Sequence, residues 1–104
     1  MKKQDSQIER NEAWTGFLNL CTQFKTPGEL ERFFDLFFTL EEKEALKGRY
    51  LVVKALEEGK LTQREIAEQY HVSISQITRG SNALKVIDSP LKEELKNHFD
   101  SWHQ

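Results

Sequence analysis

Ile74, Ser75, Gln76, Thr78 and Arg79 are short, polar or basic residues on the outward side of one helical stretch. Hydroxyls, an amide and a guanidinium at this spacing suit base edges and phosphates of duplex DNA, and an exposed Ile74 suits a thymine methyl. Ser73 and Gln76 stand at capping-box spacing and open this stretch, whose inward side carries Ile77 and Leu84. Just upstream, Thr62 and Glu65 repeat the device, opening a shorter helix with Ile66, Ala67 and Tyr70 on its inner stripe. Ala67 leaves room for two helices to cross closely, and Val72 is the apolar plug in the turn between them. The pattern from Leu61 to Lys85 predicts a helix-turn-helix whose second helix enters the major groove.

The rest of the chain must hold that pair in place. A helix is expected over Ser6–Phe24, with Trp14, Phe17, Leu18, Cys21 and Phe24 in helical period. Thr26-Pro27-Gly28-Glu29 restarts the chain with a cap, a proline at the first helical position and a second capping box. The helix that follows places Leu30, Phe33, Phe34, Phe37 and Phe38 at i, i+3, i+4, i+7 and i+8. Thr39 with Glu42 starts a third helix, which ends near Glu58 at Gly59 and whose apolar face reads as Ala45, Leu46, Tyr50, Val53 and Leu56. Asp88-Ser89-Pro90 opens the last helix, with Leu91, Leu95, Phe99 and Trp102 on one face. The fold class is all-α, six helices in a single domain. The second helix is apolar nearly all round, with Leu36 added to its phenylalanines, so a second subunit is expected to cover it. Two-fold DNA half-sites need a two-fold protein, which also points to a homodimer.

Composition sets limits. The 104 residues carry a net charge of −2, unexpected for a DNA reader. Between Lys60 and Lys85, however, Lys60, Arg64, Arg79 and Lys85 outnumber Glu65 and Glu68, a local +2 that leaves −4 elsewhere. A locally basic face concentrates attraction where phosphates dock. The single cysteine, Cys21, has no disulfide partner in the chain and no metal-spaced neighbour, and its apolar stripe predicts a buried thiol. His71, His98 and His103 lack ligand spacing, so no metal is expected. Glu41, Glu42, Glu44, Glu57 and Glu58 read as solvated helix faces, with no nucleophile, base and orienting group converging, which argues against an enzyme. Neither a signal peptide nor a membrane span is visible, and a cytoplasmic location is expected.

The segment GKLTQREIAEQYHVSISQITRGSNALK resembles the reading head of the tryptophan operon repressor family, most distinctively in QRE (Gln63–Glu65) and ITRGSN (Ile77–Asn82). The similarity continues upstream through Leu40–Leu46 and Arg49, and covers residues 36 to 86. It implies an intertwined dimer with residues 6–58 and 89–103 as shared core and 62–86 as reading head. It also implies L-tryptophan as corepressor. In the family, arginines matching Arg49 and Arg79 sandwich the indole ring; a guanidinium over an aromatic face is worth on the order of 0.5–2 kcal/mol. Arg79 would also pair with the ligand's carboxylate, and Gly80 would let the ligand approach the helix backbone. Leu36, Phe38 and Thr39 match positions whose main-chain carbonyls, from the partner chain, receive the ammonium. From the residues alone, the favoured reading is Arg49 as the partner of a nearby glutamate at the edge of the core and Arg79 as a phosphate contact.

For DNA, the resemblance implies Gln63 and Arg64 on the first helix of the pair. On the second it implies Ile74, Ser75, Gln76 and Thr78, with Lys85 on a phosphate. The tryptophan repressor is itself a reference example of water-mediated base readout, so a wet interface follows from the resemblance. Three residues depart from the family pattern: Ala83 replaces a serine that helps bind the ligand's amino group, His71 replaces a turn glycine, and Ala67 replaces a basic residue. Ala83 keeps open a regulator of the same fold with another effector or none. A helical module whose pair binds protein is the alternative from a different class.

Overall fold

The computed structural model describes residues 3–102. Six helices follow one another: α1 (Lys3–Cys21), α2 (Pro27–Phe37), α3 (Leu40–Glu58), α4 (Gln63–Tyr70), α5 (Ile74–Val86) and α6 (Ser89–Trp102). No strand occurs among the described residues. The side chain of Trp102, and all of His103, lie outside them.

Local hydrogen bonding sets the helix ends. Thr26 Oγ1 accepts from Glu29 N at 3.2 Å and Pro27 takes the first position of α2; of the reciprocal box expected there, this is the half that is seen. Both boxes of the α4–α5 pair are complete. Thr62 N donates to Glu65 Oε1 at 2.9 Å while Glu65 N donates to Thr62 Oγ1 at 3.1 Å. Ser73 and Gln76 exchange the same bonds at 2.8 and 3.1 Å. Each pair satisfies two amides that a helix start leaves without intrahelical partners. Asp88 Oδ1 accepts from Leu91 N at 2.9 Å to open α6. Gly59 ends α3 at φ +67, its amide donating to Ala55 O at 3.1 Å.

The first helix stops short of Phe24. Thr22 Oγ1 donates to Asn19 O at 2.7 Å where the regular α-helical bonding ends. The amides of Gln23 and Phe24 turn instead to Leu20 O and Cys21 O, the tighter i to i+3 pattern that closes many helices.

Backbone contacts divide the chain into two compact units, Met1–Thr39 and Leu40–Gln104. In the first, α1 and α2 meet through aromatic rings. Phe17 lies 5.5 Å from Phe33 and 5.3 Å from Phe37, and Phe24 lies 4.8 Å from Phe33, measured between centroids. None of the residues of α2 is buried. Trp14 is 62% exposed and Cys21 is only half-buried, so the expected buried thiol is not found in the lone chain.

In the second unit, Val52, Ala55, Ile66 and Ile77 form a sealed core, with Leu56, Leu61, Ala67, Tyr70 and Val72 packed around it. The buried face of α3 is therefore Val52 and Ala55; Leu46 and Tyr50, expected inside, are 45% and 41% exposed. Covering Val52 and Ala55 with α4 and α5 turns the Leu46–Tyr50 side of α3 outward. Tyr50 is engaged there by α6, its hydroxyl 3.0 Å from His98 Nε2 and its ring edge-on to the buried Phe99.

Candidate functional site

The turn between α4 and α5 is built at His71, which adopts φ 56, ψ 45 in the left-handed region. A histidine there is strained relative to glycine but tolerated better than a branched residue. The strain is held by the neighbouring amides: His71 N and Val72 N both donate to Ala67 O. Val72 then drops its side chain toward α3. A methyl built on Gly48 would meet Val72 Cγ1 at 3.5 Å, ordinary van der Waals contact, so the plug expected from the sequence fits against that helix. Ile66 and Ile77, both fully buried, complete the anchoring of the pair.

With the pair fixed this way, α5 presents two sides. Ile74, Ser75, Thr78 and Lys85 are exposed, Ile74 at 51%. Gln63 and Arg64 at the start of α4 are exposed as well. Arg64 Nε lies 3.3 Å from Glu68 Oε1, but its side chain is 88% exposed. Such a surface pair is worth little and leaves the guanidinium available to a phosphate. The Glu65 carboxylate lies below the ordinary value of 4.5, because it accepts the hydrogen bonds of Thr62.

The other side of α5 faces α3 across a cleft of about 300 Å³ lined by Arg49, Val52, Val53, Gln76, Arg79, Gly80 and Ala83. Four residues expected to hold a ligand, Arg49, Arg79, Gly80 and Ala83, thus come together. Leu36, Phe38 and Thr39 belong to the other compact unit. Among the described residues neither arginine takes part in an ion pair, so Arg49 is not neutralised by a glutamate. Gly80 has a structural reason of its own. A Cβ there would stand 2.8 Å from Val52 Cγ1, so only glycine allows α5 to lie this close to α3.

Three lining residues were not assigned to a ligand from the sequence. Val52 and Val53 follow Arg49 by three and four positions, and Gln76, Arg79, Gly80 and Ala83 follow the same period on α5. That pair of facing stripes was the available signal. Gln76, expected on the DNA side, is half-buried and lines the cleft, because its position on α5 is one helical turn before Gly80.

Two helices joined by a tight turn, the second with one side exposed and the other lining a cleft with two arginines and apolar walls, define a helix-turn-helix module. Comparison with known proteins narrows this. A family model described as "Trp repressor protein" matches residues 12–99. The chain is 57% identical over 92 residues to a Trp operon repressor homolog of Chlamydia caviae, spanning 88% of this chain and 91% of the relative. It is 48% identical over 99 residues to that of Chlamydia trachomatis serovar D, covering 95% and 100%. A Haemophilus influenzae homolog shares 33% over 94 residues, covering 89% and 93%. The chain belongs to the Trp repressor family, whose members are transcriptional repressors and not enzymes. No helix among the described residues is long and apolar enough to cross a membrane.

Proposed function

We propose that this protein is a cytoplasmic, ligand-gated transcriptional repressor that binds a palindromic operator as a homodimer when L-tryptophan fills the α3–α5 cleft, and so controls genes of tryptophan metabolism. The observation that carries this reading is the double role of α5: Arg79, Gly80 and Ala83 line the cleft, while Ile74, Ser75 and Thr78 stand exposed on the same helix. A ligand seated against one side sets the tilt of the other. Arg49 and Arg79 hold the indole and the carboxylate; main-chain carbonyls of Leu36, Phe38 and Thr39 from a second copy take the ammonium. Exposed Leu36 (78%), Phe37 (49%) and Leu40 (73%) favour such a second copy, since a lone soluble chain gains nothing by presenting them to water. With both cores fixed, the two α5 helices reach successive major grooves roughly 34 Å apart. Gln63, Arg64, Ser75, Thr78 and Lys85 contact the duplex.

Ligand and DNA must tighten each other by the same factor, because both favour one state. The test is a calorimetric titration of L-tryptophan with and without a duplex selected by the protein from a random pool. Tighter binding in the presence of the duplex is expected, and equal affinities overturn the coupling. Arg79→Ala removes a charge-assisted contact and is expected to weaken L-tryptophan about 30-fold or more. Ala83 favours a second reading, an effector without an ammonium group, because it presents a methyl to the cleft. A thermal-shift series of indole carboxylates with and without that group separates the two.

A further inference from the structure

Gln76 belongs to two structures at once. Its main-chain N and its Oε1 close the capping box with Ser73, and the same residue lines the cleft with Arg49 and Arg79. The orientation of its amide follows from chemistry, since the atom receiving the Ser73 N–H at 2.8 Å must be the oxygen. Both Nε2 protons then remain, on a residue that lines the cleft. The other cleft side chains are two guanidiniums, which donate and never accept, and the apolar Val52, Val53 and Ala83. The side chains of this cleft therefore offer donors only, and select a ligand rich in acceptors.

We infer that Gln76 is a positioning residue that ties the ligand to the start of the recognition helix: its Nε2 donates to an acceptor on the bound ligand while its Oε1 holds the Ser73 amide. A ligand acceptor on Nε2 immobilises the carboxamide, and polarising the amide strengthens the bond its oxygen accepts. Occupancy of the cleft is thereby felt at Ser73 and in the first turn of α5, which carries Ile74 and Ser75. The inference rests on the proposed response to L-tryptophan and specifies the side chain that transmits it.

Two substitutions separate the cap from the cleft. Gln76→Glu keeps an oxygen for the Ser73 amide and replaces the donor with an acceptor, whereas Gln76→Leu removes both. Thermal midpoint, L-tryptophan affinity by calorimetry and amide hydrogen exchange at Ser73 are measured for the unaltered chain and both variants. In the unaltered chain, L-tryptophan should slow exchange at Ser73. Gln76→Glu should keep the midpoint yet lose about tenfold in affinity and the ligand-dependent slowing; Gln76→Leu should lose all three. Wild-type affinity and slowing in Gln76→Glu reduce Gln76 to a helix cap and overturn the inference. Absence of L-tryptophan binding by the unaltered chain overturns the proposed function and this inference with it.

Discussion

The two compact units of this chain are built from similar proportions of apolar residues and reach different outcomes. In the second, Val52, Ala55, Ile66 and Ile77 close a core that excludes water from one chain's own residues. In the first, Phe17, Phe24, Phe33, Phe34, Phe37 and Phe38 touch one another ring to ring, yet none is buried. Two helices give large rings only one neighbour to face; three crossing helices enclose aliphatic residues on all sides. The reading head is thus the part a single chain can finish, while α1 and α2 present an apolar surface that calls for more protein.

The sharpest way to break this contrast is to truncate one residue from each unit. Ile77→Ala opens a cavity in the sealed core and is expected to cost about 2–5 kcal/mol of unfolding free energy in urea titrations. Phe37→Ser should cost less in that assay but weaken self-association about tenfold or more in sedimentation equilibrium. Unaltered association would show that the aromatic surface is not an interface. Next comes tightness within the head. Gly80→Ala forces a methyl to 2.8 Å from Val52 Cγ1 and should destabilise by about 1–3 kcal/mol, whereas Gly48→Ala, with 3.5 Å to Val72, should be neutral or stabilising. The smallest effect concerns acid. Because Glu65 is held below its ordinary value of 4.5, its stabilisation is complete above that pH and is lost as the pH falls through the lowered value. Thermal midpoints of the unaltered chain and Glu65→Gln should differ slightly at neutral pH and converge in acid.

What was legible in the sequence was local chemistry. Thr26, Thr62, Ser73, Asp88 and Gly59 announced helix ends because each acts within a few residues of itself, and all five do so in the structure. Burial was read less well, because it depends on what arrives from elsewhere in the chain. The stripe of Leu46 and Tyr50 is as regular as that of Val52 and Ala55, and only the arrival of α4 and α5 decides which side of α3 is covered. The early stop of α1 is a switch of the Gln23 and Phe24 amides to closer carbonyls, which an apolar stripe running on to Phe24 does not announce. For the cleft, family resemblance pointed to Arg49, Arg79, Gly80 and Ala83, and the structure brings them together. Gln76 was expected on the DNA side and also lines the cleft, a second placement that the sequence did not announce because a polar residue near a helix start looks the same whether it faces a groove or a cavity.

The contact between Gly80 and Val52 also bears on how such a protein can change over generations. With 2.8 Å between a new Cβ and the valine methyl, the cost of a side chain at position 80 depends on what stands at position 52. Either change alone costs stability, crowding at position 80 or a cavity at position 52, and the two offset each other when combined, so descent is expected to move these two positions as a pair.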